Sequence, residues 1–405
     1  RLSMRLVFKL LEQLKDGELK FVFPDGSSRL FGTPSPNGSQ QCTPVELTVK
    51  HYRLFPKLLF GSEVAAGESY VDGDWTTTDL PELLKLFARN KKYLNLRTVK
   101  IGVLARAVDR FLHLLRRNTK GGSKRNISAH YDLSNEMFSL FLDNSMTYSC
   151  AIFDTEDSSL EEAQERKLSE VLRLGGVEPG QRILEIGCGW GSFAVKAAKE
   201  FGCHVTCLTL SEEQAEFARE RVKAAGVENL VDIQLTDYRD IKGQFDRVVS
   251  IEMIEAVGEE YLEEYFRVCE RLLNPGGRVI IQAITLKHER MELYRRSCDW
   301  IQKHIFPGCF VPSYEILREK VKNATSLVWK EEQAIGQHYA TTLSLWGKRF
   351  LAKAPAVQSL GFSDEFIRKW IYYFGYCEAG FDTGELNTYQ LVLEKPALEK
   401  SGRVS

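Results

Sequence analysis

The chain has 405 residues, 43% of them hydrophobic, and a formal net charge of −1. That length buries a large core and suits two domains, while a charge near zero excludes a bulk polyanion binder, so no nucleic-acid partner is expected. No apolar run approaches the ~18 residues of a membrane-crossing helix, and the nine cysteines, scattered and free of CxxC pairs, exclude a zinc cluster and a disulfide framework and fit a reducing, cytoplasmic compartment. The chain opens on Arg1 without a signal-peptide pattern, which leaves room for a segment upstream.

Residues 1–95 read as a small α+β domain. Leu2 to Leu14 has helical spacing. Glu18 to Phe31 alternates as strands do and turns at Pro24-Asp25-Gly26. Thr33 to Gln41 is a loop rich in Pro, Gly and Ser. Strands are expected at Glu46 to Lys50 and Tyr52 to Leu54, a short helix at Leu58 to Gly67, and a turn at Tyr70 to Trp75. Asp79 caps a helix from Leu80 to Ala88, with Pro81 tolerated in its first turn. Nothing here signals catalysis, so the domain reads as a packing or homodimerising unit.

Residues 96–125 read as a basic amphipathic linker. Ile101, Leu104, Val108, Phe111, Leu112 and Leu115 recur at helical spacing among Arg97, Lys100, Arg106, Arg110, Arg116 and Arg117. Such a helix lies either on an anionic membrane surface or between domains with a solvated basic face.

Residues 126–396 carry the chemistry, ahead of a polar tail at 397–405. Leu160 to Leu174 is a long helix feeding a sheet. Arg182 to Ile186 is a short, mostly apolar run of the kind a buried parallel strand needs. It breaks into Gly187-Cys188-Gly189-Trp190-Gly191, and a helix starts at Ser192. Strand, glycine turn and helix form the nucleotide-binding corner of a doubly wound sheet, where glycine permits positive φ and close approach of a ligand to the backbone. A pyrophosphate site usually reads GxGxxG. Here the third glycine comes one residue early, and Glu185 precedes the first by two. A carboxylate repels a pyrophosphate and suits a cation, which points to the sulfonium and amino groups of S-adenosylmethionine.

The strand His204 to Leu208 ends without the acid that usually holds ribose hydroxyls. Thr209, Ser211 and Gln214 offer hydroxyl and amide contacts instead, and Ser211 reads as the N-cap of the helix Glu212 to Ala225. Asp237 and Tyr238 follow a third strand, Val231 to Leu235, where an acid can accept from an adenine amino group. A fourth strand, Phe245 to Ile251, leads into Glu252-Met253-Ile254-Glu255. A helix at Tyr261 to Leu272 and a sharp turn at Asn274 to Gly277 precede the strand Arg278 to Ile284. Leu286 to Val328 reads as a helical insertion, and Thr388 to Glu394 as a last strand. Repeated strand-helix-strand order makes this an α/β fold with a doubly wound, Rossmann-like sheet.

The runs His130 to Asn135, Met146 to Cys150, Leu184 to Ser192, Thr209 to Gln214, Glu252 to Glu255, Ile305 to Gly308 and Tyr373 to Phe381 together resemble the cyclopropane-fatty-acyl-phospholipid synthase family, which includes the mycolic acid cyclopropane synthases. The small first domain resembles the family's N-terminal part through Gly67 to Trp75. The resemblance implies a class I methyltransferase fold, S-adenosylmethionine as donor, and unsaturated acyl chains of a phospholipid membrane as acceptor. It implies a protein peripherally attached to that membrane. It implies Tyr148 and Ser149 at the methionine end of the cofactor, and a bound bicarbonate as base, held by Cys150, Glu255, the Ile284 backbone and Tyr339.

Methyl transfer to an alkene leaves a carbocation, which aromatic faces stabilise. The later segments are rich in aromatics, most of them read as core. Gln282 stands where bacterial members commonly carry His. It can hydrogen-bond but cannot take up a proton near neutral pH. Cys377 matches a cysteine once favoured as a nucleophile, although a buried apolar thiol is the preferred reading. His130 serves either a ligand contact or a structural hydrogen bond. Methyl-branched lipid synthesis, methylation of a small amine and a non-catalytic lipid-surface adaptor remain open alternatives.

Overall fold

The computed structural model describes residues 1–34, 43–61, 64–94, 118, 122 and 134–397. Nearly all of the basic linker, His130 with its neighbours to 133, most of the Thr33 to Gln41 loop and the tail from Leu398 lie outside the described residues. The chain forms two compact units that interleave in sequence. The first comprises Arg1–Leu115, Glu292–Ile305 and Leu343–Glu385, and the second Arg116–Met291, Phe306–Thr342 and Leu386–Ser405. Segments 292–305 and 343–385, read from sequence as part of the large domain, thus belong with the N-terminal unit.

The first unit carries a four-stranded sheet in the order β2-β1-β3-β4, built from β1 (Gly17–Val22), β2 (Ser28–Thr33), β3 (Val45–Val49) and β4 (Trp75–Thr77). The expected hairpin is present, with β1 and β2 antiparallel. One face buries Phe21, Phe31 and Phe55 around Phe8 of the helix Leu2–Leu11. Asp79 accepts from the Glu82 amide at 2.9 Å and caps the helix Leu80–Asn90. The strand expected at Tyr52 to Leu54 is absent. Pro56 fits the first turn of a helix, and that helix runs Leu54–Phe60, with a second at Ala65–Val71 in place of one from 58 to 67. The long helix Asp364–Asp382 buries Trp370 and Phe374, which pack with Phe350 and Trp346. These aromatics of the late segments are therefore core.

The second unit holds a seven-stranded sheet in the order β10-β11-β9-β8-β5-β6-β7. Its strands are β5 (Arg182–Ile186), β6 (His204–Thr209), β7 (Val231–Leu235), β8 (Phe245–Ile251), β9 (Leu273–Leu286), β10 (Val328–Ala334) and β11 (Leu386–Glu394). Strands β5 to β9 pair with one another in parallel, and β11 runs antiparallel to both β9 and β10. The crossover helices have local reasons to form. Ser159 and Glu162 make a capping box for the helix Leu160–Gly175, and Gly176 ends it in the left-handed region. Ser211 caps the helix Glu212–Ala225, as its sequence predicts. The turn expected at Asn274 to Gly277 is instead an irregular stretch inside β9. There the register passes from Phe245↔Leu273 to Arg247↔Arg278, and Gly276 takes up φ +78°.

The order places the switch point at β5. The chain leaves β5 toward β6 and β7, then returns to β8 on the other side. Loops from both halves diverge at the carboxyl ends of these strands and leave a crevice there.

Candidate active site

A cleft of about 980 Å³, counted with its open mouth, occupies that crevice. The end of β6 and the loops after β5, β7 and β8 line it with Thr209, Gly187, Cys188, Gly189, Trp190, Thr236, Tyr238, Glu252 and Met253. Glu185 itself, at the end of β5, lines it too, as do Tyr148, Ser149 and Gln214.

The three glycines have different reasons. All take positive φ, +82°, +51° and +82° at Gly187, Gly189 and Gly191. A Cβ on Gly187 would come within 2.8 Å of Met253 Cγ, and one on Gly191 within 3.1 Å of Ala218 Cβ. A Cβ on Gly189 would meet nothing within 4 Å. Gly187 and Gly191 thus pack the corner, and Gly189 keeps a face of backbone open to the cleft.

Of the residues expected at the cofactor, Tyr148, Ser149, Glu185, Gly187, Cys188, Gly189, Trp190, Thr209, Gln214 and Tyr238 line the cleft, while Gly191, Ser211 and Asp237 do not. Ser211 is occupied as a cap. Asp237 is gripped by the Arg239 guanidinium at 2.6 and 2.8 Å, so its carboxylate serves an ion pair. Thr209 donates to Gln214 Oε1 at 2.9 Å, and the Trp190 indole donates to Asn135 at 2.7 Å.

Glu185 is buried, and that burial raises its pKa to about 8; its nearest partner is the Cys207 thiol at 3.5 Å. Burial disfavours the charged form of such an acid, and a cation beside it favours that form. The same cleft holds Lys167, wholly buried, whose ammonium donates to Ser149 Oγ at 2.9 Å and whose pKa burial lowers to about 8. An open glycine backbone and a desolvated acid suit S-adenosylmethionine, so the residues present fit that cofactor.

Three of the second group of expected residues meet at one point. Cys150, Gln282 and Tyr339 converge on the carboxylate of Glu252, a residue the motif reading passed over in favour of Glu255. Glu252 Oε1 accepts from the Cys150 amide at 2.9 Å and from Gln282 Nε2 at 2.8 Å, and its Oε2 accepts from the Tyr339 hydroxyl at 2.6 Å. The Ile284 amide donates instead to Glu255 Oε1 at 2.6 Å, and Glu255 Oε2 is buried with no partner among the described residues. Burial and the neighbouring Glu252 push the Glu255 pKa up to about 8.

The expected bicarbonate set is therefore corrected. Two of its members, Cys150 and Tyr339, are engaged by Glu252, and the Ile284 amide is engaged by Glu255, the fourth member, so an anion placed among them would face two acidic side chains. The residues present do not fit a bound bicarbonate.

Cys150 contributes its amide, not its thiol. The thiol is fully buried, points to the Ala151 and Ile335 carbonyls at 3.3 and 3.6 Å, and is pushed well up by burial. Cys377 sits on the helix Asp364–Asp382 of the first unit, where burial likewise pushes its thiol up, so it is no thiolate nucleophile. Sequence reasoning also missed Lys167 and Met146. Lys167 had a signal, a lysine at helical spacing on the apolar face of Leu160–Gly175. Met146 had none, and only the structure shows its φ of +57°.

Comparison with known proteins agrees with this geometry. A family model described as mycolic acid cyclopropane synthetase matches residues 118–391. Tuberculostearic acid methyltransferase UfaA1 of Mycobacterium tuberculosis is 42% identical over 348 residues, covering 82% of this chain and 78% of that protein. The cyclopropane-fatty-acyl-phospholipid synthase of Escherichia coli K12 is 32% identical over 369 residues, 89% of each. Among solved structures, mycolic acid cyclopropane synthase CmaA1 complexed with SAH and CTAB superposes with a TM-score of 0.64 at 32% identity, over 67% of this chain and 98% of that one. The chain belongs to the mycolic acid cyclopropane synthetase family and is an S-adenosylmethionine-dependent methyltransferase.

Proposed function

We propose that the enzyme transfers a one-carbon unit from S-adenosylmethionine to the double bond of an unsaturated fatty acyl chain carried on a phospholipid, and closes it as a cyclopropane. When bound, S-adenosylmethionine supplies an electrophilic methyl carbon. The protein's part is to hold that carbon against the alkene away from water, and to take a proton from the added methyl. The observation that carries the reading is the pair Glu252 and Glu255, beside a cleft whose acids and glycines suit the donor. Deprotonating carbon next to a cation calls for a desolvated carboxylate held in place, and methyl transfer alone does not. The E. coli relative, named for this reaction and matched over 89% of both chains, supports it. Work on phospholipid chains implies contact with a membrane surface. No described helix is long and apolar enough to cross one.

Incubation of the protein with S-adenosylmethionine and vesicles of monounsaturated phospholipid tests this, with the acyl methyl esters read by gas chromatography and mass spectrometry. A product heavier by CH₂ and carrying a ring is expected. Cofactor turnover on a small amine, with no acyl product, overturns the reading. A second outcome has support in the 42% identity to a tuberculostearic acid methyltransferase. A product heavier by CH₂ with an exocyclic double bond identifies branching chemistry, which then needs a reductant to become a methyl group.

A further inference from the structure

We propose that the Glu252 side chain is the proton acceptor of the reaction, a base built into the chain, so that the enzyme works without a bound anion. The inference rests on the reading of the reaction given under Proposed function.

Glu252 is placed with unusual care for an acid beside a strand end. Its φ is +51°, the left-handed region where a non-glycine residue costs about 1–2 kcal/mol. Such strain persists where surrounding contacts impose it. Here its amide donates to the Gln282 carbonyl at 2.8 Å, and its carboxylate takes the three hydrogen bonds from Cys150, Gln282 and Tyr339. Gln282 is itself oriented, since its Oε1 accepts from Gln390 Nε2 at 2.9 Å, and Gln390 accepts from Gln333 at 2.7 Å. All of these donors favour an ionised carboxylate. Burial raises the pKa of both acids, but Glu255 beside it has one donor and one oxygen without a partner among the described residues, so Glu252 is the one of the pair whose surroundings support the ionised form. Of the two, only Glu252 lines the cleft shared with Glu185 and the glycine corner.

The step balances within the chain and its two substrates. The alkene π pair forms the bond to the methyl carbon while the carbon–sulfur pair stays on sulfur, which leaves S-adenosylhomocysteine and a cation on the adjacent carbon. A proton passes from the added methyl to a Glu252 oxygen. The C–H pair closes the three-membered ring onto the cationic carbon. Glu252 is left as a neutral acid and returns the proton to water when the product leaves.

The test uses the full chain with monounsaturated phospholipid vesicles, in buffer sparged free of carbon dioxide, with and without added bicarbonate. The wild type is expected to turn over equally in both. Glu252→Gln, which keeps size and most hydrogen bonds, is expected to lose about 100-fold or more in rate, the range for removing a general base, with binding of S-adenosylhomocysteine and the melting temperature retained. Glu252→Gly tolerates the positive φ and frees the Cys150, Gln282 and Tyr339 donors, so added bicarbonate or formate should restore part of its activity. A wild type that stalls without bicarbonate, or a Glu252→Gln enzyme within a few-fold of wild type, overturns the proposal and leaves the reaction assignment standing. A wild type with no acyl product in either buffer overturns the reaction assignment and the proposal together.

Discussion

Tyr339 donates its hydroxyl to Glu252 Oε2 at 2.6 Å, joining the first turn of the helix Gly336–Ala352 to the loop after β8. A neutral donor on a carboxylate stabilises the charged form by about 1.5–3 kcal/mol. Tyr339→Phe removes it with almost no change of volume. The Glu252 pKa, already raised by desolvation, then rises further, because only the ionised form loses a partner. The acidic limb of the rate profile should move to higher pH, and the rate at neutral pH should fall about 10-fold or more by the same energy. A pH–rate series with both enzymes checks this. An unmoved limb would show that Tyr339 holds the fold and not the base.

Gln390 touches no part of the cleft, and its effect should be indirect. It is fully buried on β11 and donates to Gln282 Oε1, which fixes the Gln282 amide with its NH₂ toward Glu252. Gln390→Leu leaves Gln282 free to turn its oxygen onto the carboxylate. The expected result is a fall in kcat with little change in KM for S-adenosylmethionine, and a loss of about 1–3 kcal/mol in stability for the unsatisfied amides. Gln390→Glu, which is unable to donate when ionised, should be no better. Equal kcat in Gln390→Leu would remove the amide relay from the account.

The glycine corner separates packing from binding. Gly187→Ala adds a methyl 2.8 Å from Met253 Cγ, at a φ of +82°. Gly189→Ala adds one into open space at φ +51°. Both pay about 1–2 kcal/mol for the left-handed backbone, and only the first has a clash to relieve. Gly187→Ala should therefore have the lower melting temperature of the two. Gly189→Ala should show its larger deficit in affinity for S-adenosylhomocysteine, measured by titration calorimetry, because its methyl enters open space at the cleft wall.

The second unit's elements were legible because their signals are local. A mostly apolar run ending in glycines, a Ser at an N-cap, and β-branched stretches bounded by turns each declare themselves within ten residues. The order of β5 to β9, reversing at β5, is the doubly wound pattern. The first unit was less legible where a helix begins at Leu54 rather than at Leu58, since Tyr52 and Leu54 also suit a strand and tertiary packing decided between them. The interleaving of 292–305 and 343–385 with the N-terminal unit has no local signature at all. At the site, Glu185 could be read from its place at a strand end. Glu252 holds an equivalent place after β8 and was overlooked for a different reason. Its importance comes from donors at 150, 282 and 339, which are brought together only by the fold. The bicarbonate set does not fit for the same reason, since two of its members, Cys150 and Tyr339, meet with Gln282 on Glu252, a side chain from outside that set.

Glu185 should couple cofactor binding to proton release. Its folded pKa of about 8 lies above the ordinary 4.5, because burial disfavours the carboxylate. The native state therefore holds a proton that the unfolded chain has lost between those values, and stability falls as pH rises from 4.5 to 8. Glu255, also near 8, adds to the same slope. Lys167, lowered to about 8 from 10.5, acts in the opposite sense and only above that value, where stability rises with pH as the unfolded chain gives up its extra proton. A sulfonium or ammonium beside Glu185 favours the carboxylate and lowers its pKa toward the ordinary value. Binding of S-adenosylmethionine at pH 7 should then release a proton from Glu185. Calorimetry in two buffers of different ionisation enthalpy reads that proton directly as a difference in apparent heat. Glu185→Gln should abolish the release, flatten the fall in melting temperature between pH 5 and 8, and weaken binding. If the heats agree in both buffers for the wild type, Glu185 is already ionised in the free enzyme and the cation is met by a charge in place beforehand.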